Sequence, residues 1–192
     1  MNPMTVSYQE AGLMLPDSAN RQDIHAQVYS AVSQLRGSKL ERDYIYSVLQ
    51  HPGLKGQVMV TLRGQSLPKD IPAQKHSQTF EPGRILRSRA EIVTMAQIPG
   101  ERYRYRDRRP DELHQWLTDL VGRHGFALKD AVWGNPKRSR IKRAGTQFSV
   151  PSLSFTMTLE VVNPVDAASA WLNGIGRKKG YGFGMMEDIS DE

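Results

Sequence analysis

The chain has 192 residues, no cysteine, 39% hydrophobic and 24% charged residues, and a formal net charge of +6. That length accommodates one large domain or two small ones, the composition excludes extended disorder, and the missing cysteines exclude disulfides and thiolate metal sites. No apolar run approaches the roughly 20 residues of a membrane span and the N-terminus carries no basic-then-apolar leader, so a cytoplasmic protein without membrane contact is expected.

Residues 4–15 alternate apolar and polar and predict a first strand, ended by the turn formers Pro16, Asp17 and Ser18. A helix follows, capped by Asn20 with Asp23 three residues on, its stripe Ile24, Val28, Val32 and Leu35 facing a core before Gly37 stops it. Residues 44–49 and 57–62 are β-rich and flank His51, Pro52 and Gly53, which predicts a hairpin. Residues 66–79 are polar, contain two prolines and leave room for a short helix only; residues 85–95 then read as a strand that completes a βαββαβ-like unit. Residues 102–109, with five arginines and two tyrosines but no apolar period, predict a solvated basic linker.

Pro110 suits a first helical turn, and Leu113, Trp116, Leu117 and Leu120 make the helix behind it amphipathic up to Gly122–Gly125. Strands are expected over 126–132 and 147–162, with the basic segment Lys137, Arg138, Arg140, Lys142 and Arg143 as the hairpin tip between them. A short helix over 166–173, a glycine-rich segment and a last strand over 181–186 follow, and the chain ends in an acidic tail. The expectation is an α+β protein in two halves, residues 1–98 and 110–192, joined by the linker 99–109.

The positive charge is regional. Residues 84–143 hold fifteen Lys or Arg against seven Asp or Glu, a net of +8, so the rest of the chain carries −2. Such an excess is the footprint of a polyanion partner, because each neutralised phosphate releases condensed counterions. Nucleic acid fits better than an anionic membrane. Within this region Arg102, Arg104 and Arg106 alternate with Tyr103 and Tyr105, a spacing that suits a backbone-following segment as well as a merely solvated one.

Gly174, Gly176, Gly180, Gly182 and Gly184 surround the block Arg177, Lys178 and Lys179. Glycine holds no Cβ between the backbone and an oxyanion and accepts positive φ, so this pattern is read as a phosphate grip, with a flexible turn carrying solvated charges as the bland alternative. A dinucleotide fingerprint is excluded because only eight residues follow Gly184, and a Walker loop because no Gly-Lys is followed by Ser or Thr. The five histidines never reach the His-x-x-x-His spacing of a metal-binding helix face, so chemistry without metal or small-molecule cofactor is expected.

With these residues placed, the chain resembles the CasE branch of the CRISPR-associated repeat-RNA endoribonucleases, whose mark is a G-x-G, basic, G-x-G loop near the C-terminus. The likeness extends to Arg42 through Tyr46, the strand and turn from Gly56 to Pro68, Pro82-Gly83 with Arg87, Arg89 and Ala90, and Trp116-Leu117. The resemblance implies two tandem ferredoxin-like (RRM-like) βαββαβ domains. It also implies metal-independent cleavage of precursor CRISPR RNA at the base of the repeat hairpin, after which the enzyme stays on the CRISPR repeat RNA among other CRISPR effector-complex subunits. A non-catalytic hairpin-holding subunit and an unrelated RNA-binding protein are the alternatives. His25, in a His-x-x-hydrophobic-aromatic helix, corresponds to the family's catalytic histidine, and Tyr29 follows one turn later on the same side. Where family members often carry a tyrosine three residues before that histidine, this chain has Gln22.

Overall fold

In the computed structural model, residues 1–17, 20–36, 43–49, 53, 55–101, 104–143 and 145–190 are described, the side chains of 34–36 and 143 excepted. The expected positions Ser18, Gly37, Arg42, His51, Pro52, Arg102 and Tyr103, and the side chains of Leu35 and Arg143, lie outside the described residues. The architecture is α+β, with three helices on mostly antiparallel sheets.

The first sheet is built from β1 (Met4–Pro16), β2 (Tyr44–Leu49), β3 (Gln57–Gly64) and β4 (Gln74–Phe80) in the order β2-β3-β1-β4, every pair antiparallel. Helix α1 (Arg21–Arg36) connects β1 to β2. Its start is the expected capping box. Asn20 Oδ1 accepts from the Gln22 and Asp23 amides at 2.9 and 3.2 Å, and Asp23 Oδ2 accepts back from the Asn20 amide at 3.3 Å. Ile24, Val28 and Val32 are buried against Tyr46, Val58, Val60 and Leu62.

The second sheet has the order β11-β5-β10-β8, from β5 (Ile85–Val93), β8 (Phe126–Trp133), β10 (Thr146–Val161) and β11 (Glu187–Asp188), with β9 (Lys137–Arg143) on the first half of β10. Helices α2 (Pro110–Gly122) and α3 (Pro164–Asn173) cover it. Two short strands, β6 (Met95–Gln97) and β7 (Tyr105–Asp107), pair with each other.

Strand β1 serves two cores from opposite faces. Val6 and Tyr8 point into the main core with Phe155, Trp171 and Leu117, whereas Ala11, Leu13 and Leu15, of odd number, pack with α1. The α3 helix of the second half therefore rests on the first sheet. Arg63 of β3 fastens this contact: only 2% exposed, it pairs with Glu10 at 2.7 Å and donates to the carbonyls of Trp171 and Met186 at 3.0 and 2.9 Å.

Four expectations need correction. Residues 74–80 form β4 rather than a short helix; as an edge strand with one face open to solvent, β4 keeps a polar sequence, and that concealed it. Residues 85–93 pair with β10 and β11, not with the first sheet, so the expected division at residue 98 does not coincide with the break between sheets, at 81–84. The basic segment 137–143 is a strand, not a tip, because its charges line the outer side while Ile141 is fully buried. Residues 181–186 are not a strand; the last pairing is β11 at 187–188.

Candidate functional site

The glycine-rich segment leaves the C-terminus of α3 and folds back on itself, the Ile175 amide donating to the Gly184 carbonyl at 2.8 Å and the Gly184 amide to Glu91 at 2.7 Å. A single 3₁₀ turn, Lys179–Tyr181, sits at its apex. The glycines face protein. A Cβ on Gly184, which has φ of +79°, would lie 1.9 Å from the Ile175 carbonyl oxygen, and one on Gly182, at φ +80°, would lie 2.7 Å from the Tyr46 ring. Gly174 is equally hemmed in by Ile45 and Gly176 by Ile92. These four glycines thus let the loop seat on β2, β5 and its own closing residue; the Gly180 carbonyl accepts from the Tyr46 hydroxyl at 2.8 Å. The direct backbone approach to an oxyanion expected of them is, at Gly174, Gly182 and Gly184, taken up by packing. Gly184→Ala should destabilise by about 2–4 kcal/mol, the left-handed backbone and the overpacking both contributing. An unchanged urea midpoint would show that the loop does not need this fit.

The basic block is held outward by that frame. Lys178, in a left-handed conformation at φ +60°, places its ammonium 5.0 Å from the Phe148 ring centroid, and the Arg177 guanidinium stands 5.2 Å from that of Tyr105. Lys179 turns inward, its Nζ donating to the Gly174 carbonyl at 3.3 Å. Arg177 and Lys178 are thus the exposed cations of the loop.

Helix α1 meets this loop directly. Arg21 pairs with Glu91 at 2.7 Å, lies 4.5 Å over the Phe183 ring and reaches the Tyr181 and Gly182 carbonyls at 3.4 Å. One turn further, the half-buried His25 ring is 5.3 Å from Tyr181 and 6.3 Å from Tyr29, which is 41% exposed. The histidine from the first half and the glycine-rich loop from the second are therefore neighbours. Tyr181, Arg21 and Glu91 escaped the sequence reading. Tyr181 was assigned to a strand, and the Arg21–Glu91 pair joins residues seventy positions apart, with no local signal.

Strand β9 forms the third wall. Lys137, Arg138, Arg140 and Lys142 are exposed, and between β9 and the start of α1 runs a groove of about 440 Å³ lined by Arg21, Glu91, Lys137, Arg138 and Arg140. Arg138 is paired with Asp107. Arg140 and Lys142 have no ion-pair partner among the described residues, which leaves their charge to an external anion. Neutralising both should weaken polyanion binding and flatten its dependence on log salt by up to about one unit per lost phosphate contact. A salt titration with an unaltered slope would remove them from the interface.

The arginine run is more engaged than its sequence suggests. Arg104 pairs with Glu101 at 2.6 Å, and Arg106 makes a two-pronged contact with Glu112 at 2.7 and 2.6 Å. Together with the Arg109 amide, Arg106 holds the Glu112 carboxyl down to about 2. The linker is thereby tied to α2 instead of running free as a solvated loop. Among the described residues no three or more His, Asp or Glu gather where they could hold a metal ion, and no helix is long and apolar enough to cross a membrane.

The arrangement offers a histidine, a tyrosine pair and several cations along one basic face, the components of proton transfer beside a phosphate. No curated protein sequence matches the chain. Among solved structures, the chain superposes on the CRISPR endoribonuclease Cse3 bound to a 19-nucleotide RNA with a TM-score of 0.74 at 21% identity, covering 95% of this chain and 98% of that one. The CRISPR-associated protein Cas6e from Escherichia coli K-12 gives 0.66 at 14% identity, with coverages of 95% and 98%. A chain of a CRISPR RNA-guided surveillance complex gives 0.67 at 16%, with 94% and 98%. At these identities the likeness establishes the fold. A family model described as CRISPR associated protein matches residues 8–187, nearly the whole length, so the chain belongs to the CRISPR-associated protein family.

Proposed function

We propose that this protein is a metal-independent endoribonuclease that cuts precursor CRISPR RNA at the base of the repeat hairpin and then remains on the hairpin as a subunit of an effector complex. The observation that carries the reading is the contact between His25 on α1 and Tyr181 in the glycine-rich loop, at 5.3 Å between rings, which sets a proton-transfer group against the loop that carries the exposed Arg177 and Lys178. The titanic share of the binding energy for a hairpin would come from phosphate contacts along β9 and that block, with the A-form shape read through the backbone. Each half of the chain, on this reading, is a ferredoxin-like unit, the first with the strand order β2-β3-β1-β4 and one helix.

The reaction is attack of a ribose 2′-oxygen on the adjacent phosphorus. A new P–O bond closes a 2′,3′-cyclic phosphate as the bond to the 5′-oxygen breaks, the 2′-hydroxyl giving up a proton and the leaving 5′-oxygen gaining one. His25 transfers one of these protons, and Tyr29 or Tyr181 hydrogen-bonds the phosphate. Arg177, Lys178 and the β9 cations stabilise charge on the phosphorane. The solved relatives described as an RNA-bound endoribonuclease and as part of a surveillance complex support both halves of the proposal, cutting and retention.

The test is incubation with a labelled cognate repeat RNA in EDTA, beside the same RNA carrying one 2′-deoxyribose at the cleavage point. Cleavage of the first and not the second, with a cyclic phosphate end, is expected. Tight binding without cleavage would replace the enzyme with a hairpin-holding subunit.

A further inference from the structure

Between α2 and the glycine-rich loop lies a cleft of about 610 Å³, lined by Arg108, Arg123, His124 and Arg177 together with Trp116 and Glu112. Its charge is unbalanced. Glu112 is paired with Arg106 and Arg109, while Asp119 accepts from Gln115 at 2.9 Å and keeps its charge, so the wall sets three arginines against one carboxylate not already held by another arginine. Arg108, Arg123 and Arg177 form no ion pair among the described residues, and the Arg108 Nε is buried there without a hydrogen-bond partner. Arg108 is nonetheless held in place, 4.8 Å over the Trp116 ring.

The three guanidiniums repel one another, and that of Arg108 has also lost part of its water. Burial, opposed by the Glu112 carboxylate and reinforced by the charges of Arg106, Arg177 and Arg123, makes Arg108 easier to deprotonate than a free arginine. His124 is pushed down in the same way, first by burial and then by Lys179 and Arg123. A folded protein that gathers unneutralised cations around a cleft stores repulsion that an anion relieves. Arginine forks suit phosphate, which accepts two parallel N–H bonds.

We propose that this cleft binds the phosphates of an unpaired RNA strand continuous with the hairpin at the cleavage site. The continuity follows from the loop. Arg177 lines the cleft and Tyr181 touches His25; they are four positions apart in the chain, so their Cα atoms are at most about 14 Å apart. An RNA strand covers that distance in a few nucleotides, at about 3.4 Å of rise per phosphate even when stacked. No β9 residue lines the cleft, which sets it apart from the strand assigned to the hairpin and suits an unpaired flank. The inference rests on the RNA-binding part of the proposed function and not on catalysis.

Two RNAs decide it, the blunt hairpin and the same hairpin with an unpaired flank of ten nucleotides, both with the scissile 2′-oxygen removed. Binding is measured by fluorescence anisotropy over a range of salt. For the wild-type protein the flank should tighten binding about tenfold. In Arg108→Gln/Arg123→Gln that advantage should vanish, and the salt slope for flanked RNA should fall by about 1.4, two single-strand contacts at about 0.7 each. Arg123→Glu, at an exposed position that leaves Arg108 on Trp116, should abolish the advantage alone and guards against misfolding of the double variant. No advantage in the wild type, or an advantage that survives both variants, overturns the proposal, as does equal competition by a polyglutamate peptide. Blunt hairpin bound and cut without a flank effect would end the cleft proposal and leave the endoribonuclease standing. A flank effect lost in Arg123→Glu, with no cutting of the unmodified hairpin, would do the reverse.

Discussion

His25→Ala is expected to lower the single-turnover cleavage rate by about 10²–10⁴-fold, the range that a positioned general acid or base supplies, while hairpin affinity changes less than about threefold. The separation of the two effects follows from the geometry. His25 is half-buried on α1 and touches the tyrosines, whereas the exposed cations that can neutralise phosphate belong to β9 and the loop apex. Alanine is a good helix former and the core stripe Ile24, Val28 and Val32 is untouched, so the helix should persist. The comparison that isolates the role is the pH–rate profile: a limb present in the wild type should disappear in the variant, which a purely structural histidine would not cause. An unchanged rate at saturating RNA would dismiss His25 and leave the alternative of a hairpin-holding subunit.

How the chain arrives at this site was partly legible in its residues. Helices α1 and α2 were readable because their apolar stripes and start signals, Asn20 with Asp23 and Pro110, are local, while α3, expected from residue 166, begins two residues earlier at Pro164 behind the Asn163 cap. Strands β1 to β3 were readable for the same reason, a short-range alternation. What failed was pairing at long range. Nothing within residues 85–93 says that their partner is β10, some seventy positions on, and nothing in a polar stretch such as 74–80 distinguishes an edge strand from a loop. In 137–143 the lysines and arginines masked a strand whose single inward residue is Ile141. The glycines were located correctly but their physical role was incomplete, since Gly182 and Gly184 serve fit against Tyr46 and Ile175, and only the structure shows what a Cβ would strike. His25 came from the family resemblance, while its neighbour Tyr181 became visible when the loop folded back on α1.

The same long-range blindness hid Arg63, and substituting it should give the largest loss of stability in the protein. Its side chain leaves β3 on the face opposite α1, enters the seam between the two halves and is 2% exposed, with its guanidinium 4.5 Å over Trp171 and 4.8 Å from Tyr8. Arg63→Ala would remove the donors that Arg63 gives to Glu10, the Trp171 carbonyl and the Met186 carbonyl, leaving two backbone acceptors without their partner and the partly exposed Glu10 with His76 at 3.9 Å, and would open a cavity beside two aromatic rings. Breaking such a buried pair from one side costs about 3–5 kcal/mol, well above the neutral outcome often found when both partners become apolar. Arg63→Ala should accordingly lower the urea midpoint by that equivalent, and Arg63→Met with Glu10→Gln, which fills the volume and removes the stranded charge, should recover a large part of it. Because Trp171 lies in the last turn of α3 and Met186 follows the glycine-rich loop, loosening this seam should also free the loop from α1. Cleavage by the folded fraction of Arg63→Ala should therefore fall as well, through the lost spacing between His25 and Tyr181. A variant as stable as the wild type, or one destabilised but cutting at full rate per folded molecule, would separate the two halves of this argument and show that the seam does not set the site.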